Sequence, residues 1–379
     1  MNIAIVIPCY NRAQSLQRLL HSLQEACYQN DKVDLIFSID HSGTDCVQKV
    51  AESFSWHFGE KKLILHQTNI GLKNNILACG DLVEIYEAVI VLEDDLYVAK
   101  DFYHFAKQAA LYYVNDSHIA GISLFSYRYA EMGYFLFYPF HDEKDTFFIQ
   151  WPSSWGQLWT RGQWRDFRKW LARNRDITRL NIPAAVKAWE HSWKKYFIAY
   201  MVDADKYFVY PYVAFTNEFG TAGIHYRGQE NVNTVDLFMG VDVGYGFRDF
   251  EEESLFRYDC FFQLADRVVQ IDDVDYNMCF DLYSNKELKN LTSDYVVTSR
   301  NQPNPVHTLG HTHIPFECNI LQGVAGDFFY LVKREEFVES RLDVNKKITL
   351  RMPLSTKDML RRVRTQVRKK FMRYLRMTE

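Results

Sequence analysis

Apolar and polar positions alternate in blocks along the first hundred residues. Residues 3–7 form an apolar run that stops at Pro8, and Leu16, Leu19, Leu20 and Leu23 then recur at helical spacing, which predicts a strand followed by a helix. Residues 33–39 predict a second strand. It ends in Asp40, His41, Ser42, Gly43, Thr44 and Asp45, turn formers that suit the start of a helix over 46–54. A third apolar run at 63–65 precedes a polar loop over 66–71 and a helix through Ile76 and Leu82. Residues 88–92 (AVIVL) are continuously apolar and end abruptly in Glu93-Asp94-Asp95.

Strands that alternate with helices imply right-handed crossovers and a mainly parallel sheet covered on both faces, an α/β fold. Ligands of such sheets sit at the carboxyl ends of the strands. Asp40, the loop around Asn69 and the acidic triplet all fall there, so three polar clusters gather on one rim. Beyond Tyr226 tryptophan disappears, short β-like runs recur at 267–271 and 294–298, and 301–305 reads as a loop. The expected division is residues 1–225 as an α/β domain, 226–345 as a smaller α+β accessory region and 346–379 as a basic amphipathic tail.

With 379 residues, 47% hydrophobic and 24% charged, the chain has the balance of a folded protein with a large core, which excludes a disordered or collagen-like polymer. The net charge of −4 is unevenly placed: residues 357–379 hold nine Lys or Arg against two acids, a local +7 that leaves −11 elsewhere. Val363, Val367, Phe371 and Tyr374 form one helical stripe there, the pattern of a helix lying on an anionic membrane. A solvated helix packed on the domain is the alternative. Nucleic acid is disfavoured as a partner, because the body is acidic and no recognition motif is present. No stretch approaches the roughly 20 apolar residues of a spanning helix. Seven scattered cysteines without a C-x-x-C pair fit a reducing cytosol.

Three successive carboxylates after a buried strand repel one another unless something compensates them, and a divalent cation does so. Oxygen-only donors point to Mg²⁺ or Mn²⁺ rather than zinc. The competing reading makes Asp94 or Asp95 the cap of a helix over 97–113. His307, His311 and His313 have spacing that a transition metal could use, but the run carries Gly310 and Pro315 and reads better as a polar loop.

IAIVIPCYNRAQSLQRLLHSL at the start, SIDHSGTD after the second strand, TNIGLKNNI before the third helix and VIVLEDDLYVAKDFYHF at the acidic turn together resemble the nucleotide-sugar glycosyltransferases of the A fold type. The likeness is to the inverting family-2-like enzymes with an E-D-D turn of the N-acetylglucosaminyltransferase kind, and covers roughly residues 1–225. Family-2 members commonly carry two adjacent aspartates after the second strand and D-x-D at the metal turn, where this chain has Asp40-His41 and Glu93-Asp94-Asp95. The resemblance implies a GT-A fold and a UDP-sugar donor, with Asp40 on the uracil and Pro8 and Asn11 shaping the base pocket. It implies Asp95 on Mn²⁺ or Mg²⁺, Asp94 on ribose or sugar, and Glu93 in support. Lys73 would add a charge near the phosphates, although a solvated helix lysine reads equally well.

Residues 150–164 (QWPSSWGQLWTRGQW) resemble the family's closing loop, in which Trp151, Trp155 and Trp159 could stack on sugar faces, although packing reads better for each; Trp155 and Gly156 are the substrate-binding candidates. KAWEHSWK at 187–194 is similar to the segment that holds the family's base, which implies Glu190, with Asp203 and Asp205 as rivals. PYVAFTNEFGTAGIH at 211–225 resembles the run that follows, with Asn217, Gly220 and Gly223 near the ligand and His225 on metal or diphosphate. The expected function is a metal-dependent inverting glycosyltransferase that extends a glycan, lipid-linked in a bacterial setting, at the cytoplasmic face of the plasma membrane. Two alternatives stand beside it. One is an inactive carbohydrate-binding or assembly protein on the same fold; the other, a nucleotidyltransferase, is disfavoured because PCYNR lacks a glycine-rich phosphate loop.

Overall fold

The computed structural model describes residues 1–132, 135–173, 176–218, 234–241, 243–251 and 254–351. The expectations for Gly220, Gly223, His225 and the 357–379 tail lie outside the described residues. The chain divides into two compact units: the first comprises 1–132, 137–267 and 286–292, the second 133–136, 268–285 and 293–379.

The first unit opens with β1 (Ile3–Cys9), α1 (Ala13–Gln24), β2 (Asp34–Ile39), α2 (Cys46–Ser53), β3 (Lys61–Leu65), α3 (Gly71–Asp81) and β4 (Ala88–Val91). It continues with β5 (Leu96–Val98), α4 (Phe102–Tyr113), β6 (Ile119–Ser123), β7 (Thr146–Ile149), β8 (Gln157–Thr160) and α5 (Arg161–Arg173). Then come α6 (Ala184–Ala188), α7 (Trp193–Asp203), β9 (Tyr207–Pro211), β10 (Thr216–Glu218) and β11 (Arg257–Tyr258). Nine strands form one sheet in the order β11-β7-β9-β6-β8-β4-β1-β2-β3. β1, β2, β3, β4, β6 and β9 run one way, and β7, β8 and β11 run against them.

Chain order explains where a site can form. The sheet grows from β1 outward to β2 and β3, then returns to place β4 on the other side of β1. Strand order therefore reverses between β1 and β4, and the loops leaving their carboxyl ends diverge to opposite faces and open a crevice. Both strands are wholly buried, so their apolar runs are core rather than amphipathic surface. Edge strand β3 is instead half exposed. Its Lys61 ammonium donates to the carbonyls of Ala51, Glu52 and Phe54 at 2.9, 2.7 and 2.7 Å, which satisfies the end of α2.

The helix expected over 97–113 is corrected. The chain leaves the acidic turn as β5, which pairs antiparallel with β10, and α4 starts only at Phe102 with Asp101 at its N-cap position. No helix begins at Asp94 or Asp95, so the capping explanation for the triplet falls away.

The second unit has its own sheet: β12 (Arg267–Ile271), β13 (Val274–Asp281), β14 (Tyr295–Thr298), β15 (His307–Leu309) and β16 (Phe329–Lys333), ordered β12-β13-β14-β16-β15, with α8 (Glu317–Leu321) and α9 (Val344–Arg351). The two β-like runs expected at 267–271 and 294–298 are strands of this sheet.

In the first unit α3 and α5 meet at Gly80, where an added Cβ would stand 2.2 Å from the Trp164 ring. Gly80→Ala is expected to cost about 1–2 kcal/mol net, overpacking outweighing the gain in helix propensity. Urea unfolding monitored by tryptophan fluorescence measures it.

Candidate active site at the sheet's switch point

The parallel register of β1 and β4 pairs Val6 with Val91. β4 ends there and the acidic turn follows, while β1 runs on to Cys9 and the loop beyond carries Arg12 over that turn. The Arg12 guanidinium bridges two carboxylates, Nη2 to Asp94 Oδ1 and Nη1 to Asp95 Oδ2, both at 2.5 Å. Asp94 is buried, while Glu93 and Asp95 are half-buried. Loss of hydration, opposed by Arg12 but reinforced by Asp95, pushes the Asp94 carboxyl up to about 6. Burial, then the charge of Asp95, pushes Glu93 up to about 8. Burial works against the charge of Arg12, yet Asp94 and Asp95 outweigh it and hold the guanidinium above its ordinary value.

Asp95 Oδ1 is buried and makes no hydrogen bond. A buried carboxylate oxygen left idle beside two further acids suits a hard cation. Among the described residues no three His, Cys, Asp or Glu side chains converge on one point. Asp94 and Asp95 stand together on the turn, and Mg²⁺ or Mn²⁺ can bind through one or two carboxylates and complete their shell with water or substrate phosphates.

Asp40 leaves the end of β2, is buried, and spends both oxygens on the start of α3. The Ile70 N–H donates to Oδ1 at 2.8 Å and the Gly71 N–H to Oδ2 at 2.9 Å. It braces the 66–71 loop against the rim. Pro8 is the buried penultimate residue of β1, opposite Ser38, and Asn11 is exposed in the loop that follows. Lys73 stands on the first turn of α3 with its ammonium 4.2 Å from the centre of the Tyr196 ring, a cation–π contact rather than a free solvated charge.

β8 runs antiparallel to β4, so its beginning lies on the same rim. Trp155 is half-buried there, with Phe125 and Tyr127 at 4.7 and 5.7 Å between ring centres. Gly156 has φ +94°, and a Cβ on it would meet Thr216 Cγ2 at 2.8 Å, so both conformation and space require glycine. Trp151 and Trp159 are fully buried, packing anchors as expected.

Sheet direction separates the three base candidates. α7 begins on the rim, because Lys73 of α3 reaches Tyr196 and Lys194 lies 6.0 Å from the Trp155 ring centre. Glu190 precedes that helix with its side chain 84% exposed and His191 at 3.7 Å. Asp205 lies just before β9, a strand parallel to β6 and β1, hence at the opposite end of the sheet, where Gln150 donates to it at 3.4 Å. Asp203 closes α7 and accepts from Trp170 Nε1 at 2.7 Å. Both rivals to Glu190 thus lie away from the rim that carries the acidic turn. Asn217 lies in β10, opposite Tyr97, and its amide donates to the Val235 carbonyl at 2.9 Å. His307 lies in β15 with Tyr276 at 3.0 Å, whereas His311 stacks on Phe328, so the three histidines form no common site.

Two groups on the rim escaped the sequence reading. Lys194 is buried and donates to Glu131 Oε2 at 2.5 Å; Trp151 Nε1 and the Tyr127 hydroxyl donate to the same oxygen, each at 2.9 Å. Burial alone would raise the Glu131 carboxyl, but Lys194 first and the two other donors outweigh it and hold it below its ordinary value. Glu131 Oε1 has no hydrogen bond among the described residues. The Lys194 ammonium is also close enough to Glu93 to favour its charged form.

Residues 4–165 match the family model described as Glycosyl transferase family 2. A search of curated proteins finds no match. Among solved structures, residues 1–349 of S. aureus TarS share 15% identity with a TM-score of 0.37, covering 57% of this chain and 60% of that one. The mannosyltransferase PcManGT from Pyrobaculum calidifontis, solved with GDP-Man and Mn²⁺, shares 16% at a TM-score of 0.30, covering 42% and 45%. GalNAc-T7, solved with UDP, GalNAc and Mn²⁺, shares 11% at a TM-score of 0.42, covering 57% and 43%. These likenesses are distant, and the chain spans 60% or less of the length of each. Residues 4–165, which run from β1 to the first turn of α5 and include the switch point and the acidic turn, are the part of the chain that matches the glycosyl transferase family 2 model.

Proposed function

We propose that this glycosyltransferase domain is metal-dependent and inverting, and that it moves a sugar from a UDP-sugar to a glycan acceptor. The observation that carries the reading is the acidic turn itself. Three carboxylates stand at the reversal point of strand order, two of them bridged by one guanidinium, with one buried oxygen of Asp95 idle.

Asp95, with Asp94 beside it, would hold Mn²⁺ or Mg²⁺, which when bound neutralises charge on the departing diphosphate. The chain's own residues do the rest. Arg12 carries the balancing positive charge of the turn. Asp40 fixes the loop on the far side of the crevice, where the base would lie. Trp155 offers a half-exposed ring to a sugar face, and Gly156 lets the backbone turn beneath it. Glu190 is exposed on the rim ahead of α7, where an acceptor hydroxyl would give up its proton as it attacks from the face opposite the diphosphate. The Glu131–Lys194 pair pins the start of α7, and so the position of Glu190, to the loop that carries Trp151. The acetylglucosaminyltransferase-like E-D-D order supports an N-acetylhexosamine or hexose donor. The basic stripe in the sequence of 357–379 supports an acceptor presented at an anionic membrane; among the described residues no helix is long and apolar enough to cross one.

Asp95→Ala is expected to reduce Mn²⁺-dependent UDP release by at least about 10³-fold with unchanged circular dichroism, in line with removal of a principal charge-stabilising group. Undiminished turnover would exclude the metal assignment. Glu190→Gln is expected to lower kcat about 10²- to 10⁴-fold while UDP affinity stays constant, as loss of a general base requires; calorimetric titration with UDP separates the two effects. Arg12→Ala, which leaves Asp94 and Asp95 uncompensated, is expected to cost about 2 kcal/mol in chelator. Mn²⁺ is expected to stabilise that variant more than the wild type, and thermal unfolding with and without the ion measures the difference.

A further inference from the structure

The second unit contains a cavity of about 490 Å³, within the range of small-ligand sites. Its apolar wall is Phe135 and Tyr283, whose rings stack 3.6 Å apart at 9°. Arg300 stands opposite, locked in place: Nε donates to the fully buried Asp281 at 3.3 Å, Nη1 to the Ser340 carbonyl at 3.3 Å and Nη2 to the Ser284 carbonyl at 3.0 Å. Ser284 takes φ +53°, a left-handed conformation uncommon for serine, in the loop that Arg300 grips.

Charge on the lining is unequal. Arg300 is answered by Asp281 and by Glu339 at 3.8 Å. Arg341 and Lys347 also line the cavity, and neither has an ion-pair partner among the described residues. An aromatic wall, backbone and hydroxyl oxygens, and two cations without an ion-pair partner among the described residues describe a site for a polyhydroxylated ligand that carries an anion. The chain's own 357–379 segment has the wrong sign for it, with a local charge of +7.

We propose that this cavity binds an anionic sugar, the shared chemistry being a phosphate or carboxylate on a pyranose, held by Arg341 and Lys347. It is a second carbohydrate site, built within one unit from residues that the transfer chemistry does not use.

Calorimetric titration of the full chain with glucose 6-phosphate, glucuronate and glucose tests it, with the Asp95→Ala variant run in parallel to remove the donor site's contribution. Saturable binding of at least one anionic sugar is expected, at least tenfold tighter than glucose and retained in Asp95→Ala; the tighter of the two identifies the anion. Arg341→Glu with Lys347→Glu is expected to weaken that binding at least tenfold while leaving the unfolding midpoint and the response to UDP unchanged. Lys333→Glu, an exposed charge reversal elsewhere in the same sheet, is expected to change nothing. If the double reversal unfolds the unit, Arg341→Gln and Lys347→Gln separately are each expected to weaken binding at least threefold. Absence of saturable binding, equal binding of glucose, or wild-type affinity in the charge variants would overturn the proposal, whatever the outcome for UDP.

Discussion

Repulsion among Glu93, Asp94 and Asp95 is the constraint around which the first unit is arranged. A fully buried strand delivers the three carboxylates together to the edge of the core, where two unit charges 4 Å apart repel by about 4 kcal/mol at an effective dielectric of 20. Part of that cost is met by protonation, as the raised Asp94 and Glu93 carboxyls show. The rest is met by Arg12, which reaches the turn because β1 and β4 are register-locked neighbours. The same hydrogen-bond ladder that builds the core thus aligns the charge with its counter-charge. A shift of one residue between those strands would break both.

Carboxylates on the rim fall into two kinds, told apart by what their oxygens do. Asp40 spends both oxygens on backbone N–H groups, and Asp101 accepts the Tyr245 hydroxyl at 2.5 Å and draws in the 243–245 backbone. Hydrogen bonds to charged groups contribute about 1.5–3 kcal/mol each, so such residues brace loops that have little core of their own. Asp95 engages one oxygen and leaves the other, which is buried, without a hydrogen bond. Bracing alone would not select for that arrangement, because an idle buried acceptor costs free energy. It is tolerated where a ligand supplies the missing partner.

Much of this architecture was legible in the chain. The apolar runs of β1, β2 and β4 and the polar residues that stop them placed Asp40 and the triplet on one rim, because a buried parallel strand has a simple sequence signature. Short strands carry less signal. β5 has three residues and falls where the competing reading put the start of a helix, and only pairing with β10, more than a hundred residues away, decides. Arg12 with Asp95 and Lys194 with Glu131 are 83 and 63 residues apart, and an ion pair leaves no periodic mark in a sequence. Lys194 lay inside the very window, KAWEHSWK, in which only the carboxylate drew notice.

The three candidate carboxylates of this segment show what topology adds to residue type. Glu190, Asp203 and Asp205 lie within sixteen residues and are equally acidic, so composition cannot rank them. The polypeptide reverses direction between α7 and β9, which carries the two ends of that helix to opposite edges of the sheet. A group at the start of α7 shares the rim with the acidic turn, while one at its end faces away, separated by the thickness of the core. In a sheet that binds at one edge, the chain reversal between neighbouring elements selects which carboxylates can act together. That selection is made by backbone hydrogen bonding before any side chain contributes, which is why the same rim gathers Arg12, Asp94, Asp95, Trp155 and Lys194 from four separate stretches of chain.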